Sequence, residues 1–110
     1  MDREVFRKKM IEKGPKASKI EVKKVIDHIV NNETAEINCT ICMEELAELQ
    51  QEISKQIRGK GDATGILEEL ADVCICLEML KKMFQFTNDE IARAVDIKLE
   101  RYERRSMKHE

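Results

Sequence analysis

Tryptophan is absent, tyrosine occurs once and phenylalanine three times, so aromatics are only 4% of the 110 residues. Strands of a sandwich or barrel draw on aromatic and β-branched side chains, and this inventory suits them poorly. One proline and four glycines leave long stretches free of helix breakers. No sign of charge dominates: 20 Lys and Arg face 22 Asp and Glu, a net charge of −2. That balance gives no general attraction to nucleic acid or to an acidic membrane. Long apolar runs are missing too. The longest, Val73–Leu77, is far too short to cross a bilayer, and Met1–Met10 carries charge where a signal peptide needs an apolar stretch. A cytoplasmic protein is the expectation, with Cys39, Cys42, Cys74 and Cys76 as reduced thiols.

What the chain does contain is charge, 38% of its residues, interleaved with Leu, Ile, Val and Met at helical spacing. The basic stretch from Arg3 to Lys24 has this pattern, which marks a solvated helix face rather than a nucleic-acid arm. The length implies a single domain, residues 1–110, and a core small enough that assembly with further copies would bury useful apolar surface. The first helix is expected over about Asp2–Glu12, ending at Gly14-Pro15. Ser18 and Glu21 form a capping box for a second helix that ends near Asn31-Asn32. A third helix runs from Asn32 or Glu33 to Ile57 or Arg58, with the apolar stripe Ala35, Cys39, Cys42, Leu46, Leu49 and Ile53. After Gly59-Lys60-Gly61-Asp62, a fourth starts between Asp62 and Thr64 and reaches about Gln85. A second capping box, Thr87-Asn88-Asp89-Glu90, opens a fifth that continues to about Arg105, and Ser106 to Glu110 are expected to fray. The expected fold is all-α, a bundle of four to five helices completed by oligomerisation.

Most glutamates of such a chain lie on solvated faces. Asp72 is different, because Leu70–Leu80 is apolar on nearly every side and such a helix is expected to be buried. Glu69 lies one turn earlier on the same face. Two carboxylates there face desolvation and mutual repulsion unless a cation neutralises them. Glu45 and Glu48 offer a matching pair on the third helix, beside its apolar stripe. An antiparallel hairpin across the Gly-rich loop would set Glu45 opposite Asp72 and Glu48 opposite Glu69. Four converging carboxylates suit Mg²⁺ or Mn²⁺, whereas zinc and iron sites recruit His or Cys. Di-iron bundles use Glu-x-x-His, and neither His28 nor His109 has that spacing.

The segments Glu44-Glu45-Leu46-Ala47-Glu48 and Glu68-Glu69-Leu70-Ala71-Asp72 resemble the EExxE…ExxD signature of the MazG-like family, all-α nucleoside triphosphate pyrophosphohydrolases. The likeness extends over Leu67–Val73 and Asp96-Ile-Lys-Leu-Glu-Arg-Tyr102, roughly Cys42 to Tyr102. It implies that Glu45, Glu48, Glu69 and Asp72 hold Mg²⁺, with Mn²⁺ as a substitute, and that Glu44 plays a supporting part at the substrate. Lys98 and Arg101, one turn apart, would face the triphosphate. Many relatives have Asn at the place of Lys98 and Pro after the tyrosine, where this chain has Glu103. The implied reaction is attack by a metal-activated water at the α-phosphorus, releasing a nucleoside monophosphate and pyrophosphate, in a dimer or tetramer. Glu48, or else Glu45, would be the general base, and Lys55 or Lys60 could help to steady the pyrophosphate.

The cysteines invite a zinc reading, but Cys74 and Cys76 point about 200° apart on a helix, so four thiolates do not converge. Small core residues are the simpler reading. Cys42 and Cys76 should share one end of the acidic cluster. Met79, Met83 and Phe84 suggest a subunit interface, and His28 has no paired nucleophile. Two rival readings are a non-enzymatic helical interaction module with solvated acids, and a carboxylate-ligated metal protein of another function. The few aromatics leave the nucleobase unread.

Overall fold

The computed structural model describes residues 1–14 and 19–108. Those residues form five helices and no strand: α1 (Arg3–Glu12), α2 (Lys19–Asn32), α3 (Ala35–Ile57), α4 (Ala63–Phe84) and α5 (Asn88–Lys108). Side chains at the ends decide most of the boundaries. Asp2 caps α1 by accepting from the Glu4 and Val5 amides, and Asp62 caps α4 by accepting from Gly65, each taking up a donor that the helix leaves unpaired. The expected box at α5 is formed: the Glu90 amide donates to Thr87 Oγ1 at 3.1 Å and the Thr87 amide to Glu90 Oε1 at 3.0 Å. The Ser18 cap lies outside the described residues.

Two boundaries differ from the sequence reading. α3 begins later than Asn32 or Glu33, because Thr34 adopts an extended backbone and accepts from the Ile37 amide. α5 continues past Arg105, so Ser106, Met107 and Lys108 are helical rather than frayed. α4 stops at Gln85, which takes a left-handed conformation (φ 60°) and donates back to the Lys81 and Lys82 carbonyls, closing the helix as a glycine would.

The body of the molecule is the antiparallel α3–α4 hairpin, turned at Gly59 (φ 71°). α2 lies across the far end of α4, and α1 touches α4 near the turn. The core is small: Ile26, Cys42, Cys76 and Met79, with Ile29, Val30, Leu80 and Met83 packed on it. Met79 and Met83 therefore serve the contact with α2 rather than an outer surface, while Phe84 remains exposed. α4 is not buried all round as its composition suggested. Leu70, Ile75 and Leu77 are each 44% exposed or more, because α2 and α3 cover only part of its circumference. Every described side chain of α5 from Asn88 to Ser106 is exposed. No helix among the described residues is long and apolar enough to cross a membrane.

Candidate metal centre

Along the α3–α4 seam the residues meet in layers one helical turn apart, as antiparallel packing at three- and four-residue steps requires. Cys42 and Cys76 form the innermost layer; the Cys42 thiol donates to the Cys76 carbonyl at 3.7 Å, and both residues are buried. Burial pushes the Cys76 thiol up to about 12, helped by the Cys42 thiol. It is a packing thiol, not a reactive one. Cys39 is half-buried and Cys74 exposed, and all four cysteines are free.

The next two layers hold the acids. Glu45, Glu48, Glu69 and Asp72 each offer one carboxylate oxygen, and these four oxygens lie within 4.8 Å of one another. The pairing follows the expected hairpin, with Asp72 the strongest charge felt by Glu45, and Glu48 the strongest felt by Glu69. Glu45 is pushed up to about 7, first by desolvation and then by the charges of Asp72 and Glu48. Glu69 is raised too, first by desolvation, then by Glu48 and Asp72. One oxygen of each, Glu45 Oε2 and Glu69 Oε2, is buried with no hydrogen-bond partner among the described residues. A buried, unpartnered carboxylate oxygen is costly. The all-oxygen donor set, drawn from two rigid helices, is of the kind that holds a hard divalent cation.

The remaining predicted residues are not gathered here. Glu44 is exposed on α3, beside the cluster but outside it. Lys98 and Arg101 lie on exposed α5, where with Tyr102 and Arg105 they line a small pocket of their own. Among the described residues no ion pair or hydrogen bond joins either to the four carboxylates. Lys55 pairs with Glu52 at 3.2 Å.

Sequence reasoning missed the layer nearest the turn. Glu52 is only 8% exposed, and it faces Gly65. Arg3 of α1 reaches both Glu52, at 3.2 Å, and Glu68. The signal was there in part: Glu45, Glu48 and Glu52 continue one face at steps of three and four, but nothing local points to an arginine 49 residues away.

No family model, curated protein or solved structure matches this chain.

Proposed function

We propose that this protein is a Mg²⁺-dependent nucleoside triphosphate pyrophosphohydrolase that cleaves (d)NTPs to (d)NMPs and pyrophosphate, in nucleotide-pool house-cleaning. The observation that carries the reading is the pair of buried, unpartnered oxygens, Glu45 Oε2 and Glu69 Oε2, within four convergent carboxylates. The EExxE…ExxD resemblance gives that cation site its task. Glu45, Glu48, Glu69 and Asp72 would hold Mg²⁺, or Mn²⁺ in its place. Bound there, the cation supplies charge neutralisation to the triphosphate and acidity to a water.

The chain's own residues account for the rest. Glu48 is the most exposed of the four and is the best placed to meet incoming water and take its proton, with Glu45 as the alternative base. Rigid helices on both sides fix the carboxylates before substrate arrives, so little reorganisation is needed at the reacting phosphorus. The cations for the leaving pyrophosphate, Lys98 and Arg101, belong to α5. Ile91, Val95, Leu99 and Tyr102 share one face of that helix at steps of three and four, with Lys98 at its edge and Arg101 on the flank beyond. Packing of that face on another copy's hairpin, in a homo-oligomer that is a dimer or tetramer, would bring these cations towards the carboxylates.

The experiment is a panel of NTPs and dNTPs incubated with Mg²⁺, followed for nucleoside monophosphate and pyrophosphate. Turnover of at least one nucleotide is expected, with loss of about 10²-fold or more on Glu69→Ala. No turnover of any of them, or undiminished turnover by Glu69→Ala, sinks the proposal.

A further inference from the structure

The layer beside the metal centre has the make-up of a second cation position that is already filled by a side chain. Glu52 lies one turn past Glu48 on α3, and Glu68 directly precedes Glu69 on α4. Their side chains are only 10% and 13% exposed. Alone, these two carboxylates would extend the cluster from four acids to six along one seam. The Arg3 guanidinium sits between them, one nitrogen donating to each, and Lys55 adds a second cation to Glu52 at 3.2 Å.

The hollow that admits this arrangement is made by Gly65. A Cβ there would come 2.5 Å from Glu52 Oε2 and 3.3 Å from the Arg3 guanidinium carbon. No residue of α1 is buried. Among the described residues its polar hold on the hairpin is Arg3 on Glu52 and Glu68, and Arg7 on Asp62 at 2.5 Å and on Thr64 at 3.3 Å. An exposed ion pair would count for little. Here the acids are largely buried, so removal of the guanidinium leaves Glu68 without a cation in the seam and Glu52 with Lys55 alone. A forked, permanently charged group is the side chain suited to two carboxylates at once.

We propose that Arg3 is a positioning residue of the metal centre: its guanidinium occupies a further cation position between Glu52 and Glu68, and so confines the metal to Glu45, Glu48, Glu69 and Asp72. The inference rests on the metal reading of those four residues. Its consequence is a change in the number of ions, which a merely structural brace would not produce. With Arg3 removed, Glu52 and Glu68 become oxygen donors beside Glu48 and Glu69, in a site rich in carboxylate.

The test counts Mn²⁺ bound to the full-length, metal-stripped chain by equilibrium dialysis and by the loss of the free-ion electron-paramagnetic signal. Arg3→Ala should bind about one Mn²⁺ more per chain than the wild type, since one two-carboxylate position is freed. Arg3→Lys, which keeps the charge, should bind the wild-type number. Arg3→Ala combined with Glu52→Gln and Glu68→Gln should also return to it. If Arg3→Ala loses its helicity when stripped of metal, millimolar Mn²⁺ should restore it, because the ion takes the place of the guanidinium. Failure of Mn²⁺ to refold that variant overturns the proposal, as does an Arg3→Ala protein that is folded and binds the wild-type number. A wild type that binds Mn²⁺ in the second case leaves the four-carboxylate reading intact. A wild type that binds none overturns both.

Discussion

Glu45 and Glu69 are both held above the ordinary carboxylate range, and that departure has a sign that can be tested. Both are raised from 4.5, Glu45 to about 7. A carboxyl whose folded value is raised holds its proton more tightly folded than unfolded. Its contribution to stability is complete below the unfolded value of 4.5 and is lost as pH climbs through about 7. Metal-stripped protein should therefore melt at progressively lower temperature across that window and level off above it. Asp62 works in the opposite direction, lowered chiefly by the Gly65 amide bond, so its share is present at neutral pH and lost in acid. Millimolar Mg²⁺ should flatten the neutral side of the profile, because the cation replaces the proton. Glu45→Gln should flatten it without metal and should weaken the response to Mg²⁺. Melting curves in EDTA and in Mg²⁺ decide this, and a stripped wild type whose melting point is constant from pH 5 to 8 would remove the repulsive cluster from the account. At this scale the four acids were legible because three-residue spacing within an apolar helix is a local property. Arg3, Glu52 and Gly65 were not, because their meaning comes from contacts between α1, α3 and α4.

Among the elements, the α3–α4 seam sets what each helix can tolerate, and Gly65 is its most sensitive point. Within the first turn of α4, alanine would ordinarily be the better residue, by up to about 1 kcal/mol. The short approach to Glu52 Oε2 reverses that preference, because the carboxylate is held by Arg3 and Lys55 and is not free to swing aside. Gly65→Ala should destabilise by about 1–3 kcal/mol, the usual range for overpacking. In a Glu52→Ala background the same change should become neutral or favourable, a coupling that urea denaturation of the double-mutant cycle measures. Additive effects would show that Glu52 does not fill the Gly65 hollow. Helix identities were readable from periodicity and caps, including the Thr87–Glu90 box and the end of α1 at Glu12. The start of α3 was misjudged because Asn32, Glu33 and Thr34 are all plausible in the first turn, and only the backbone at Thr34 decides which one caps. The all-round apolar composition of α4 was read as burial, but composition cannot say how many neighbours a helix has within one chain.

For the whole molecule the surface is too large for its length. The accessible area is 9193 Å², nearly half as much again as the roughly 6,300 Å² of a compact monomer of this mass. The radius of gyration is 16.9 Å, where about 13 Å is usual for a domain of this length. Both excesses trace to α5 and to the uncovered sides of α3 and α4, which leave Leu46, Ile53, Leu70, Ile75, Leu77, Val95, Leu99 and Tyr102 exposed. Exposed apolar side chains in that number are what a surface covered by another subunit would display. Lys98 and Arg105 border the apolar face of α5, with Arg101 on the flank beyond and the Arg105 guanidinium 5.8 Å from the centre of the Tyr102 ring. The four carboxylates of the hairpin carry the opposite charge, so the proposed homo-oligomer would pair these cations with them. On the proposed function, assembly should accompany metal-dependent turnover. Sedimentation velocity should give a dimer or tetramer, and the melting temperature should rise with protein concentration. Val95→Glu with Leu99→Glu, which places charge on the apolar face of α5, should yield monomers that melt lower and turn over nucleotide poorly, while Mn²⁺ still binds because all four carboxylates lie within one chain. A wild type that stays monomeric from micromolar to millimolar concentration would leave Lys98 and Arg101 without a route to the carboxylates, and the phosphate contacts would then have to come from cations at the hairpin itself.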